Sequence, residues 1–264
     1  MINHSTLGNI IKWMRKQVKK RNANGALVGL SGGVDSSVVA GLIKKAFNKN
    51  SLGVMLPSSG TVTKDVKLAK KAADKYNLNT IKVNVKNIYN EFTETFKNID
   101  VNDAKRKYWP QTKVPTTNPA YQNISTRLRM MALYHIAERL NYVVMGTSNK
   151  SEILTGYYTL YGDGATDMRP LGDMYKTEVW ELADLLGVPQ EIIDRPPSGG
   201  CRGDKTDRDE YEFGIDYKTF DKIHIAITNN NSLDKFNEND VIRTKELIKA
   251  AKDKSEVPIF PVNR

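Results

Sequence analysis

The stretch Ala26-Leu27-Val28-Gly29-Leu30-Ser31-Gly32-Gly33-Val34-Asp35-Ser36-Ser37 constrains this chain more than any other. Its first five residues, mostly apolar, fit a short buried strand. Ser-Gly-Gly then suits neither a helix nor a strand interior. From Val34 onward Val38, Val39, Ala40, Leu42 and Ile43 open an apolar helix. Strand, glycine turn and helix together aim backbone N–H groups and a positive helix end at one point, an arrangement that holds phosphate. Gly32 and Gly33 admit close approach of the backbone. Ser31, Ser36 and Ser37 add hydroxyl donors, and Asp35 adds a carboxylate suited to a hard cation such as Mg²⁺. Ordinary β–α turns also use glycine and serine, but the complete run at a strand–helix junction favours a phosphate cradle. No Gly-Lys-Ser/Thr follows, so this is not a Walker loop.

The flanking pattern repeats the same unit. Residues 5–22 carry Leu7, Ile10, Ile11, Met14 and Val18 at helical spacing. Strand 26–30 and helix 36–47 follow, then strand 52–56, stopped by Pro57, and helix 64–77 with Thr63 as its expected cap. A third strand over 80–85 and a helix over 86–98 complete a β-α-β-α-β-α run. That order predicts a doubly wound parallel sheet with helices on both faces and ligands at the carboxyl ends of the strands. The loops 31–36 and 57–61 fall at such ends. Residues 99–120 break the rhythm with the basic, aromatic run Lys105-Arg106-Lys107-Tyr108-Trp109-Pro110. They read as a surface excursion, a lid or a partner-binding loop. A helix over 120–140, a fourth strand over 142–145 and a polar loop from Gly146 to Glu152 come next. Helices over 174–186, 216–228 and 239–252 follow, with a Pro- and Gly-rich loop at 195–207. With no internal repeat, residues 1–264 form one expected domain.

Composition narrows the class. With 39% hydrophobic residues the chain can bury a core. No run reaches the roughly 20 apolar residues of a membrane span, and the first residues lack the pattern of a secretory signal. The single cysteine, Cys201, excludes an internal disulfide and suits a reducing cytoplasm. The net charge of +10 is spread over lysines on the polar faces of helices, which favours a solvated surface over a nucleic-acid partner.

Four stretches in order resemble the ammonia-dependent NAD synthetase family. They are Leu30 to Ser36; Asn123 to Met131, reading Asn-Ile-Ser-Thr-Arg-Leu-Arg-Met-Met; Gly146 to Glu152 continuing through Gly156 to Gly164; and Pro170-Leu171-Gly172 with Tyr175-Lys176-Thr177, leading to Pro196-Pro197-Ser198. The first is shared by several ATP pyrophosphatases; the second and third are more particular. The resemblance implies an adenine-nucleotide α-hydrolase-like fold and the amidation of deamido-NAD. In that reaction ATP adenylates the nicotinate carboxylate, pyrophosphate leaves, and ammonia displaces AMP. It implies that Gly29, Leu30, Ser31, Gly32, Gly33, Val34, Asp35, Ser36, Thr147, Lys176 and Ser198 bind ATP. It further assigns Mg²⁺ to Asp35 and Glu152, deamido-NAD to Arg127 and Asp167, and catalysis to Asp35, Glu152 and Lys176. A homodimer is also implied. A nitrilase-like glutaminase domain does not fit the length, so free ammonia or a separate partner supplies nitrogen.

Three departures lie on the acceptor side. Leu160 stands where the family usually has a lysine, removing a charge-assisted contact of about 1.5–3 kcal/mol. The usual C-terminal His-Lys-Arg is replaced by Lys252-Asp253-Lys254-Ser255, and Pro197-Ser198 is followed by Gly199-Gly200-Cys201. They motivate a rival, a related ATP-dependent amide ligase acting on a different carboxylate. A tRNA thiolase is disfavoured by the lone cysteine. A nucleotide-binding protein without turnover is the non-enzymatic alternative.

Overall fold

The computed structural model describes residues 2–58, 61–96, 119–198 and 208–255. Helix α1 (His4–Lys20) leads into β1 (Gly25–Gly29), and α2 (Val34–Phe47) returns the chain to β2 (Ser51–Met55). Helix α3 (Thr63–Lys75), β3 (Asn79–Lys82) and α4 (Lys86–Phe96) follow. After 97–118 come α5 (Pro119–Leu140), β4 (Tyr142–Met145), α6 (Lys150–Thr155), α7 (Lys176–Leu186) and α8 (Gln190–Ile193). Helices α9 (Asp209–Phe213), α10 (Tyr217–Thr228) and α11 (Glu238–Ser255) form the C-terminal part.

Among the described residues the three strand pairings are parallel, and the strand order is β3-β2-β1-β4. The chain therefore builds outward from β1 through β2 to β3, then returns to lay β4 on the other side of β1. The point where the order reverses lies between β1 and β4, which is where open α/β sheets bind ligands.

Alternation along the strands sends side chains to two cores. Ala26, Val28, Val143 and Met145 pack with α1, α2, α3 and α7 on one face. Leu27, Val54 and Val144 pack with Leu133, Ile136 and Ala137 of α5 on the other. The doubly wound expectation is met. A third cluster, Phe213, Tyr217, Phe220, Ile223 and Leu247, joins the C-terminal helices to Leu154 of α6 and Trp180 of α7.

Local details differ from the sequence expectations. Val62, not Thr63, occupies the cap position of α3, and Thr63 is already helical. The third strand ends at Lys82, although Val83 and Val85 still donate backbone hydrogen bonds to Met55 and Pro57. The expected loop from Gly146 to Glu152 turns into α6 at Lys150. The basic run at 105–110, Cys201 and most of the expected lid segments lie outside the described residues.

Candidate active site

The loop after β1 is held by its own serines. The hydroxyls of Ser31 and Ser36 lie 3.0 Å apart, and those of Ser36 and Ser37 donate to the Gly33 carbonyl at 3.0 and 2.8 Å. Gly33 caps α2 without a side chain, so the first-turn N–H groups face outward with no competing side-chain acceptor. Gly32 has φ +85°, and a Cβ there would collide with the Asp65 carbonyl of α3. Only glycine serves both demands.

Beside this loop sits a buried charged group drawn from three elements. Lys176, at the start of α7, is 2% exposed. Its Nζ lies 2.5 Å from Asp35 Oδ2 and 3.3 Å from Glu152 Oε1. Asp35 comes from the first turn of α2 and Glu152 from the first turn of α6, so both carboxylates lie at helix N-termini, where the dipole favours negative charge. Burial and the nearby Asp35 carboxylate push the Glu152 carboxyl up to about 8, against the opposing pull of Lys176. Burial alone would lower the Lys176 ammonium, but Asp35 and Glu152 outweigh it and hold it charged. Asp209 at the start of α9 is pushed up to about 6 by burial, opposed by Lys176 and by the Tyr217 hydroxyl, which donates to it at 2.9 Å.

Helix starts are tied together behind these groups. Asp221 of α10, almost fully buried, accepts from Ser151 Oγ at 2.5 Å, Thr177 N at 3.1 Å and Thr177 Oγ1 at 2.9 Å. Ser151 Oγ in turn accepts from Lys176 N at 2.9 Å. One carboxylate thus fixes the relative placement of the α6 and α7 N-termini, and with them Glu152 and Lys176.

The sequence-predicted residues divide sharply. A cleft of about 490 Å³ opens at the carboxyl ends of β1 and β4. Every residue of 29–36 except Gly32 lines it, together with Thr147, Glu152, Lys176 and Ser198. Gly32 shapes the loop from behind. Arg127 and Asp167 do not line the cleft. Arg127 Nε donates to the Leu160 carbonyl at 3.3 Å, which brings together two positions expected on the acceptor side. The Asp167 carboxylate accepts from Val144 N at 2.7 Å and extends the sheet edge beyond β4. Arg129 donates to the Leu56 carbonyl and Thr61 hydroxyl at 3.0 Å each and lines the cleft.

The sequence reading did not single out Asn149, Asp209, Arg195 or Lys254 as site residues, and all but Asn149 line the cleft. Lys254, near the end of α11, donates to the Gly156 carbonyl at 2.7 Å and to the Tyr158 carbonyl, and stacks over the Tyr158 ring. A legible signal existed for Asn149: Asn-Lys-Ser-Glu has the spacing of a capping box. For Asp209 none existed, because its place depends on how the C-terminal helices pack.

Carboxylates are hard oxygen donors of the kind Mg²⁺ takes, and here Asp35 and Glu152 turn one oxygen each to the Lys176 ammonium. Among the described residues no group of three or more His, Cys, Asp or Glu side chains is placed to hold a metal ion.

The NAD synthase family model matches residues 6–258. The NH(3)-dependent NAD(+) synthetase of Carboxydothermus hydrogenoformans is 38% identical over 253 residues, covering 96% of this chain and 95% of that protein. The enzyme of the same name from Methanocaldococcus jannaschii is 42% identical over 218 residues, covering 82% and 78%. Among solved structures, an NMN synthetase from Francisella tularensis superposes with a TM-score of 0.81 at 27% identity, covering 97% of each chain. An NH3-dependent NAD synthetase from Campylobacter jejuni, solved with nitrate, gives 0.78 at 25% identity, covering 99% of this chain and 100% of that one. With its phosphate loop and buried carboxylates at the sheet's switch point, and relatives matched along nearly its whole length, this chain belongs to the NAD synthase family.

Proposed function

We propose that this chain amidates deamido-NAD to NAD with ammonia, splitting ATP into AMP and pyrophosphate. The observation that carries the reading is that the phosphate loop and the Asp35–Lys176–Glu152 group open into one cleft. A carboxylate is a poor electrophile and needs activation, so the site's task is positioning and charge neutralisation. The uncapped N–H groups of α2 and the Ser31 and Ser36 hydroxyls receive the triphosphate. Thr147 and Ser198 border the rest of the nucleotide. Lys176 supplies positive charge to the departing pyrophosphate. Asp35 and Glu152 are the residues that would hold Mg²⁺, which would add charge neutralisation on the phosphates. Arg127 and Asp167 remain our assignment for the far part of the acceptor, beyond the cleft and next in sequence to Thr126 and Thr166, which do line it.

A second reading has its own support. Leu160 replaces an expected acceptor-side lysine, and one of the solved structures this chain resembles is an NMN synthetase. The competing acceptor is nicotinic acid mononucleotide, the carboxylate whose amide is NMN. Purified protein supplied with ATP, Mg²⁺ and ammonia should convert deamido-NAD to NAD with equimolar AMP. A kcat/KM at least tenfold higher for the mononucleotide would establish the second reading, and AMP formation with neither acceptor would refute both.

We also infer a cytoplasmic enzyme that works as a homodimer. The first rests on the single cysteine, and no helix among the described residues is long and apolar enough to cross a membrane. The second rests on the apolar side chains that α4 and α5 leave uncovered, among them Ile88 at 56% exposure and Met131 at 62%.

A further inference from the structure

We propose that Arg195 is a further phosphate-binding residue, a guanidinium that grips the pyrophosphate end of ATP across the phosphate loop from Lys176. The inference rests on the reading above, in which the cleft takes ATP.

Among the described residues the basic side chains lining the cleft are Arg129, Lys176, Arg195 and Lys254. Lys176 is already bonded to two carboxylates. Arg129 gives its donors to the Leu56 carbonyl and the Thr61 hydroxyl, and Lys254 gives its own to two backbone carbonyls. Arg195 differs. Its partner is the buried Asp65 of α3, with Nη1 2.7 Å from Oδ1. That contact is close, yet Asp65 Oδ1 receives no aligned hydrogen bond, so charge rather than direction holds the pair. A guanidinium stays charged and carries five N–H donors in a planar fork that matches a phosphate. Most of that capacity is unused here.

The placement fits the task. A Cβ on Gly32 would meet the Asp65 carbonyl at 2.4 Å, so Asp65 backs directly onto the phosphate loop and sets Arg195 beside it. Lys176 meets the same loop at Asp35. The two cations therefore bracket residues 31–36, one at each end. Arg195 is also firmly carried. It follows α8, whose Ile192 is fully buried, and precedes Pro196-Pro197. Lys71 of α3 already ties α8 from outside through Glu191 at 2.6 Å. A second ion pair within the cleft wall is not needed to join these helices, and a largely buried pair adds little net stability. An arriving phosphate uses the idle donors while Asp65 keeps the group in place.

The test separates a phosphate contact from a structural tie. Arg195→Gln/Asp65→Asn removes the pair together and leaves no unpaired buried charge. Arg195→Lys keeps a cation beside Asp65 but loses the fork, and it decides the matter should the double variant not fold. Full-length parent and variants with Mg²⁺ are titrated with pyrophosphate, and separately with AMP, by isothermal calorimetry, and far-ultraviolet circular dichroism reads folding. Pyrophosphate should bind about tenfold more weakly to the double variant and about threefold more weakly to the lysine variant, with AMP affinity changed less than about twofold. In turnover, the inhibition constant of product pyrophosphate should rise by the same factors. Unchanged pyrophosphate affinity in the variants would overturn the proposal. So would an equal loss for pyrophosphate and AMP, because a displaced 194–198 segment weakens the whole nucleotide. The parent tests the underlying reading. If it binds neither ATP nor pyrophosphate, the cleft is not an ATP site and the role of Arg195 falls with it. If parent and variants bind both equally, Arg195 alone fails.

Discussion

Lys176 shows how much one side chain can decide. A buried ammonium is costly unless paired, and two carboxylates facing each other without a cation are costlier still. The three groups are tolerable only together, which explains why Asp35, Glu152 and Lys176 converge although they lie far apart in the chain. The folded protein also holds a proton on Glu152 that the unfolded chain releases, because its carboxyl is raised from 4.5 to about 8. Stabilisation from that proton is fully present below about 4.5 and is lost as pH rises through about 8. In metal-free buffer, urea denaturation should therefore show stability declining from pH 5 to 8 in the parent and declining less in Glu152→Gln. Asp209, raised from 3.8 to about 6, adds a decline below pH 6 that both proteins share. Parallel profiles across pH 6 to 8 would show that Glu152 is ionised in the folded metal-free protein. At this scale the sequence was informative for the phosphate loop, where residue type and position coincide. It was uninformative for Asp167, whose carboxylate completes sheet pairing at Val144, a role that depends on a neighbour no local pattern reveals.

Among elements, long helices and strands were legible because their apolar period runs over several turns. Helices α6, α8 and α9 span six, four and five residues, too short to show a period. Yet α6 and α9 deliver Glu152 and Asp209. Tertiary hydrogen bonds position them: Ser151 to Asp221 for α6, and Asp209 and Glu210 to Tyr217 for α9. Asp221→Ala should cost about 2–4 kcal/mol, since it leaves the Ser151 and Thr177 donors buried without an acceptor. Asp221→Asn, which keeps one carbonyl-type oxygen, should cost less. Urea midpoints read both, and a loss below about 0.5 kcal/mol for the alanine variant would mean that α6 and α7 hold their places through packing alone.

For the whole molecule, the doubly wound sheet was readable from the order of elements, and its switch point puts the site where the β–α turns after the neighbouring strands β1 and β4 diverge. Of the basic residues behind the net charge of +10, Arg129, Lys176, Arg195 and Lys254 line the cleft, while Lys70 and Lys71 are paired on the surface with Asp74 and Glu191. The uncovered apolar residues on α4 and α5 concern assembly instead. Light scattering coupled to gel filtration should give a dimer for the parent and a monomer for Ile88→Asp/Met131→Asp, with secondary structure retained. A monomeric parent at micromolar concentration would remove the basis for the dimer.

The return of β4 to the flank of β1 also has a consequence in time. As the chain leaves the ribosome, β1, β2 and β3 can pair with the phosphate loop already formed. One edge of β1 stays open until β4 emerges, after the whole of α5. Asp35 waits through 114 residues of synthesis for Asn149, and longer for Lys176. The nascent protein thus exposes an unpaired edge until β4 emerges and an unbalanced carboxylate until Lys176 follows.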